Sequence, residues 1–516
     1  MAKFTNAPPV RPPRSPVQTA TVTPDTFTHE GAPAHSFTQQ SELFLLAVTN
    51  MVGEDTFYES ASTRDRRFNE LVTSLARSDP AWLAGFIPWL RRSANMRSAS
   101  VVALAEYVHA GGPNARALIA STLARMDEPG ELLGYWMSHY GRNIPKPIKR
   151  GIGDYLTGSL NEYGALKYDG LSNAIRLGDV VELVHPRPAN NAQSHLFKYL
   201  LDRRHQGKAK VDGRVLKTIK SRELLEAIPA EQRRAYLAHE TWGDVTGATW
   251  EWLSGWLPGG MDAKAWEAII PSMGYMALLR NLRNFDQADI SIGATSAVQA
   301  ILSSPDAVAR SRQFPYRFWS AYKNTHTVTW TKTLEKALAL SLSNVPTFTG
   351  RTLVLCDVSG SMNGPVSNNS TIRRYEVAGV FAAAVAARSD ATLALFASSG
   401  KNLNSVKGHS VLRTVEVIRN EVGGSMGYGT LVSKGLKYYT GEDRIVVFTD
   451  EQSHDRPTWP SVPVYIFNLG GYAQGMAASG DNVHRLGGFS DSVFRMIPLL
   501  EAHRGGATWP WMEGNT

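Results

Sequence analysis

Asp357-Val358-Ser359-Gly360-Ser361 directly follows the apolar run Leu353-Val354-Leu355-Cys356. One carboxylate and two hydroxyls at alternate positions, just past the end of a strand, direct three oxygens to one point, an arrangement that suits a hard divalent cation such as Mg²⁺. Two residues further along fit the remaining places. Thr430, in Gly427-Tyr428-Gly429-Thr430, supplies a hydroxyl, and Asp450, which ends the apolar run Ile445-Val446-Val447-Phe448-Thr449, supplies an outer carboxylate. The plainer alternative is that Asp357 and Ser359 cap the next helix, since both residue types are common caps, but capping requires neither Thr430 nor Asp450. No Gly-x-Ser-x-Gly elbow surrounds Ser359, so a hydrolase nucleophile is the weaker reading. Cys356, the single cysteine, lies in an apolar strand and reads as a small core residue.

The elements that would position these residues alternate beyond Pro346. The pattern predicts a strand over 352–356, a helix over 373–387, a strand over 391–397, helices over 411–421 and 430–439, strands over 444–449 and 462–468, and a last helix near 489–500. Such alternation specifies a doubly wound α/β domain, in which a site lies outside the carboxyl ends of the strands where strand order reverses. A hairpin is expected within 392–406, turning at Ser398-Ser399-Gly400-Lys401.

Ahead of this domain the pattern is helical, from about Ser41 to Asn344. Phe68, Leu71, Val72, Leu75 and Ala76 repeat at helical spacing, and Asp79-Pro80 opens the next helix with a capping acid and a proline at the first helical position. Short-linked amphipathic helices suggest antiparallel pairs stacked as a solenoid. The first 36 residues, with Pro8-Pro9, Pro12-Pro13, Pro16 and Pro24, offer little to bury and read as a disordered arm.

The formal charge of +8 is local. Residues 142 to 234 hold 18 Lys and Arg against 10 Asp and Glu, which accounts for the whole excess. A concentration of that kind suits a polyanion, although solvated helix faces rich in Lys and Arg would look the same. Lys146, Lys149 and Arg150 lie in a Pro- and Gly-bounded loop leading into a helix, and Arg203, Arg204, Lys208 and Lys210 form a second cluster with His205. Arg97 and Arg280, in otherwise apolar helices, either face a channel and grip a single strand or snorkel from a core face and pair with Glu106 or Asn284. Trp250, Trp252 and Trp256 read as core in preference to stacking platforms. No run approaches the roughly 20 apolar residues of a membrane span, and the first residues do not look secretory, so the expected location is cytoplasmic.

The Asp-x-Ser-x-Ser motif, the Thr and the strand-terminal Asp, spread over roughly residues 348 to 505, resemble the metal-ion-dependent adhesion site of von Willebrand factor A domains. Glu451-Gln452 stand where that family often has glycine. The phrases Phe44 to Asn50, Thr56 to Tyr58, Met96 to Ser100, Leu183 to Pro188 and Ala277 to Leu282 resemble the TROVE module of the Ro autoantigen family, including its bacterial orthologues. After the arm of residues 1–36, the resemblance implies a HEAT-like ring over 37–345 and an A-like domain over 346–516 that joins the ring's ends. It implies Y RNA on the outer surface and single-stranded 3′ ends of misfolded RNA in a central hole. His185 matches a family position linked to Y RNA, and Lys167 the first of a basic pair, whose second member Arg176 would replace; Arg187 belongs to the same Leu-Val-His-Pro segment.

These readings combine into a noncatalytic, monomeric RNA-binding scaffold acting in RNA quality control or processing. The competing class is an adaptor whose Mg²⁺ captures a partner's carboxylate, the partner by analogy being a 3′-to-5′ exoribonuclease. A metal-dependent nuclease ranks lower, because two-metal chemistry needs more carboxylates than Asp357 and Asp450, though Glu451, His454 and Asp455 lie near.

Overall fold

The computed structural model describes residues 25–29, 31–49, 55–56, 58–171, 173–237, 247–325, 327–343, 345–367, 370–422, 426–472, 474–476, 483–489, 493–494, 509 and 511–512. They divide into two compact units, one from 1–65, 314–316 and 342–516 and the other from 66–313 and 317–341.

The first unit carries nine strands among the described residues: β1 (Thr26–Phe27), β2 (Pro33–Ser36), β3 (Arg351–Asp357), β4 (Asp390–Phe396), β5 (Gly400–Asn402), β6 (Arg444–Thr449), β7 (Val464–Asn468), β8 (Gln474–Gly475) and β9 (Val483–Gly487). Six form one sheet in the order β5-β4-β3-β6-β7-β9. All neighbours are parallel except β4 and β5. Parallel strands flanked by helices are buried on both faces, which is why Leu353 to Cys356 and Ile445 to Phe448 are unbroken apolar runs with no exposure. The chain leaves β3 through the helix Arg374–Arg388 to pair β4 on one side, and β6 then joins β3 on the other. Strand order therefore reverses between β3 and β6, and the two carboxylates end up on adjacent strand ends.

The expected hairpin forms, but it turns a residue or two early, because Gly400 and Lys401 already pair with Phe396 and Leu395. The helix expected over 430–439 is confined to Val432–Leu436, since Leu431 is extended. Strand β9 was not expected: Val483-His484-Arg485-Leu486 is short and half polar, and it is its pairing to β7 that makes it a strand. The last helix expected near 489–500 lies almost wholly outside the described residues.

The N-terminal boundary also differs from expectation. Residues 1–24 of the arm lie outside the described residues, but β1 and β2 pair with each other and β2 pairs with β8. The helix α1 (Gln39–Thr49) buries Leu43 through Thr49 and packs on β9. A segment with few apolar side chains can be ordered in this way because strand addition uses main-chain hydrogen bonds, not a core. Thr28 Oγ1 donates to Ser453 O at 3.0 Å, and the His29 N–H donates to Gln452 Oε1 at 2.8 Å.

The second unit is helical. It includes most of α2 (Ala61–Ser78), then α3 (Pro80–Arg92), α4 (Arg97–His109), α5 (Ala115–Thr122), α6 (Glu128–Tyr140), α7 (Lys146–Ser159), α8 (Glu162–Tyr168), α9 (Leu177–Val184) and α10 (Asn191–Gln206), with further short helices to Ser341. Phe68, Leu71, Val72, Leu75 and Ala76 are all buried. Asp79 caps α3 by accepting from the Trp82 N–H, with Pro80 at the first helical position. Close helix approach depends on small residues: a Cβ on Gly151 of α7 would lie 2.7 Å from Ile119 Cβ and 2.8 Å from Arg116 O of α5.

Candidate nucleic-acid interface and cation site

The contact of α5 with α7, and of α7 with the segment following α9, leaves a groove of about 800 Å³. Its lining includes Arg116, Lys149, Arg150, Asp154, His185 and Arg187. Four of these were singled out from sequence, so the structure brings together Lys149, Arg150, His185 and Arg187 from two separate stretches of chain.

Local chemistry holds the two walls. Gln193, at the start of α10, is buried; its amide nitrogen reaches the carbonyls of Leu156, Thr157 and Leu160 at 3.2, 3.1 and 3.3 Å, and its oxygen accepts from the Ala189 N–H at 2.8 Å. The Thr157 hydroxyl sits 2.7 Å from Arg187 O and 2.9 Å from Gly153 O, and donates to one at a time. The 185–190 segment is thereby tied to the carboxyl half of α7. His185 ends α9 at φ +50°, its N–H on Val181 O at 3.0 Å, and its side chain is exposed. That left-handed backbone costs a residue with a Cβ about 1–2 kcal/mol.

Charge in the groove is unbalanced. Arg116 holds Asp154 with two bonds, Nε to Oδ2 at 2.7 Å and Nη2 to Oδ1 at 2.9 Å, and this pairing draws the Asp154 carboxyl below its ordinary range. Lys149, Arg150 and Arg187 make no ion pair among the described residues. Lys146, Lys149 and Arg150 also crowd the first turns of α7, which has no acid in its first turn and no side-chain cap. Cations at a helix N-terminus oppose the macrodipole, at roughly 0.3–1 kcal/mol each. An incoming anion would relieve both excesses. Arg116 and Asp154 were missed from sequence: Arg116 sits in no motif, while the i, i+4 spacing of Arg150 and Asp154 was the one available signal.

The second basic cluster behaves differently. Arg176 is buried, its Nη2 2.6 Å from Asp169 Oδ2, and its N–H is accepted by Asp179 Oδ2 at 2.9 Å. Arg203 Nη1 reaches the same Asp169 oxygen at 3.1 Å, Arg204 Nε reaches Asp179 Oδ1 at 2.5 Å, and His205 Nε2 reaches Glu182 Oε2 at 3.1 Å. Arg176 is thus a packing residue between α8, α9 and α10, not a surface cation. Lys208 and Lys210 are exposed beyond α10.

Among the other candidates, Lys167 is exposed with its ammonium over the rings of Tyr163 and Tyr168 at 5.3 and 5.4 Å. Lys146 is exposed at the head of α7, outside the groove lining. Arg97 pairs with Asp127 and Glu131, each at 3.3 Å, not with Glu106. Arg280 is exposed on the helix Tyr275–Ala288. Trp256 is buried and donates to Leu225 O at 3.1 Å, with Trp252 stacked on it.

In the α/β unit Asp357, Ser359, Ser361 and Asp450 gather at the ends of β3 and β6, and Thr430 lies on a loop tied by its backbone to His454, just past β6. Asp357 and Asp450 have no exposure, and Ser359, Ser361 and Thr430 have 1, 4 and 2%. Asp357 Oδ1 accepts from the Ser359 N–H at 2.9 Å and Oδ2 from the Thr449 hydroxyl at 2.6 Å; the hydroxyls of Ser359 and Ser361 are 3.4 Å apart. Thr430 is set by its N–H on His454 Nδ1 at 3.0 Å and its carbonyl on the His454 N–H at 2.7 Å.

Burial, and then the charge of Asp450, push the Asp357 carboxyl up; burial raises Asp450 as well. Among the described residues Asp450 Oδ2 is buried without a hydrogen-bond partner. Two crowded carboxylates, one with an orphaned oxygen, and neighbouring hydroxyls are the donor set a hard cation takes. Among the described residues no three His, Cys, Asp or Glu side chains gather as a metal cluster, so such a cation would depend on the hydroxyls. Glu451, the departure noted in sequence, stands at φ +62°, the backbone region that favours glycine. It is held there by Arg485 Nε at 2.7 and 2.9 Å and by Asn468 Nδ2 at 3.0 Å, all buried.

A helical-repeat unit together with a doubly wound α/β unit carrying an Asp-x-Ser-x-Ser loop is the architecture implied by the TROVE and A-domain resemblances. Residues 248–376 match the TROVE domain family. That match includes Ala277 to Leu282 and extends past residue 345 through Asp357, Ser359 and Ser361 to Glu376. The solved structure of the Ro protein (RSR) of Deinococcus radiodurans shares the fold at a TM-score of 0.59 and 18% identity, over 91% of this chain and 100% of that one. No curated protein matches the chain in sequence. The family match is confined to residues 248–376, and the likeness to the Ro structure is one of fold.

Proposed function

We propose that this chain is a noncatalytic RNA-binding protein of the Ro kind. It takes structured small noncoding RNA, Y-like in form, on the groove between α7 and the 185–190 segment. It takes single-stranded 3′ ends of misfolded RNA in the central hole that the resemblance implies, in RNA quality control or processing in the cytoplasm. One observation carries the reading: Lys149, Arg150 and Arg187 converge on one groove and lack acid partners among the described residues. Arginine grips phosphate with two prongs and lysine as a point charge, so contacts of this type position an RNA without reading its bases. A-form duplex presents mainly phosphates and 2′-hydroxyls, so recognition there is tolerant of sequence. The test is the affinity of purified protein for a structured small RNA across a salt series. Log K should fall by about 0.7–0.9 per phosphate neutralised for each decade of salt; affinity indifferent to salt would refute the reading.

The cation belongs to the same proposal. Asp357, Ser359, Ser361, Thr430 and Asp450 would hold Mg²⁺ or a similar ion, which supplies positive charge between two strand ends. The orphaned Asp450 oxygen supports this. The adaptor role, with an exoribonuclease or another partner contributing a carboxylate, has less support, since all five side chains are at most 4% exposed and a partner would have to open the loops to reach the ion.

A further inference from the structure

The carboxyl ends of α4 and α6 carry aromatic rings that neither the groove nor the core accounts for. His109, the last residue of α4, stacks on Tyr140, the last of α6, with centroids 3.9 Å apart and planes 12° apart. His139 stacks on Tyr135 at 4.0 Å and 20°, and Trp136 underlies Tyr140 at 4.8 Å. Both histidines are exposed, both tyrosines half-buried.

The rings are braced from beneath. Glu106, 2% exposed, accepts from the hydroxyls of Tyr135 at 2.7 Å and Tyr140 at 2.6 Å, and Asn69 donates to the Tyr135 oxygen at 2.9 Å. A carboxylate holding two phenols fixes the planes of two rings, and each fixed ring supports an exposed histidine. His139, four residues after Tyr135 on α6, also has its Nδ1 2.9 Å from Tyr135 O and 2.9 Å from the Ser138 hydroxyl, which holds the imidazole over the ring.

The position relative to the groove gives the shelf a partner. Residues 110–114 lead from His109 into α5, which bears Arg116. Residues 141–145 lead from Tyr140 into α7, which bears Lys146, Lys149 and Arg150. Trp136 Nε1 donates to Asn143 O at 3.2 Å and ties the second connection to the shelf. Short connections of this kind put the ends of α4 and α6 on the same side as the starts of α5 and α7, so a ring platform adjoins a line of cations. Backbone-tracking cations beside stacked rings are what a single nucleic-acid strand requires, since every base has a π-face.

We propose that His109, His139 and Tyr140 form a stacking shelf for unpaired bases of an RNA strand whose phosphates run into the α7 groove. The inference rests on the RNA-binding reading above and adds a site to it. The test compares a short blunt RNA duplex with the same duplex bearing a single-stranded tail that carries 2-aminopurine. With the unsubstituted protein the tail should raise affinity about tenfold and quench the 2-aminopurine, on the scale of one stacked base. In His109→Ala with His139→Ala, both surface changes, the tailed-to-blunt affinity ratio should fall about tenfold and the quenching should disappear. Tyr140→Phe, which keeps the ring and loses only the Glu106 bond, should retain most of both. A ratio and quenching unchanged in the histidine double variant would overturn the shelf, as would a tail that adds nothing to a duplex that binds. Failure of both RNAs to bind would overturn the underlying RNA reading instead.

Discussion

The basic groove beside α7 and the basic face shared by α9 and α10 have similar compositions and opposite electrostatics. In the first, Lys149, Arg150 and Arg187 meet one carboxylate, Asp154, already taken by Arg116. In the second, Arg176, Arg203, Arg204 and His205 are answered by Asp169, Asp179 and Glu182. A matched cation supports packing; an unmatched one has charge left for a ligand. Net charge by segment cannot separate the two, because it depends on which acids the fold brings within reach.

The largest effect should come from taking away a matched acid. Asp169 is buried and accepts from two guanidiniums and the Leu177 N–H. Asp169→Ala leaves the buried Arg176 unpaired, and loss of one partner from a buried pair costs about 3–5 kcal/mol. A thermal or urea unfolding midpoint close to the unsubstituted protein's would show that the face is not held by this pair.

Next in size is reversal of the unmatched charges. Lys149→Glu with Arg150→Glu should weaken binding of a structured RNA roughly a hundredfold at moderate salt and flatten the salt dependence. The unfolding midpoint should hold or rise slightly, because acids suit the start of a helix. Equal losses of affinity from this variant and from Arg203→Ala with Arg204→Ala would erase the distinction between groove and face.

The same distinction applies to buried carboxylates. Asp169 is hydrogen-bonded by two guanidiniums, whereas Asp357 and Asp450 face each other; Asp450 feels the charge of Arg374, but its Oδ2 has no hydrogen-bond partner among the described residues. If an ion supplies the missing charge, Mg²⁺ at a hundred times its dissociation constant should stabilise the protein by about 2.7 kcal/mol. Asp450→Asn should abolish most of that gain. An equal gain with Asn in place would mean that Mg²⁺ acts elsewhere.

Legibility followed the range of the interactions. The Asp-x-Ser-x-Ser loop, the buried strands and the cap at Asp79 are local patterns, so hydropathy and residue type sufficed to find them. Thr430 and Asp450 could be proposed beside that loop because each ends a recognisable loop or strand. Strand β9 and the pairing of β2 with β8 were not legible, since short strands of mixed polarity take their conformation from neighbours distant in sequence. Arg176 was misplaced for a related reason. It reads as a surface cation in sequence, and only the fold shows Asp169 buried seven residues earlier. The αL position of Glu451 was signalled by the missing glycine, yet its compensation by Arg485, 34 residues on, was not.

The smallest effect is also the most discriminating. Arg204 is 43% exposed on its side chain and, among the described residues, its acid contact is Asp179, so Arg204→Ala should cost less than about 1 kcal/mol of stability, the range of exposed pairs. Its Cβ also lies 2.7 Å from where a Cβ on Gly178 would stand, and alanine keeps that atom, so the α9–α10 contact is preserved. If matched charge is withdrawn from ligand binding, RNA affinity should stay within about twofold of the unsubstituted protein's, with the salt slope unchanged. A slope lowered by one phosphate contact would mean that RNA displaces Asp179 and recruits Arg204, and that the α9–α10 face belongs to the interface despite its acids.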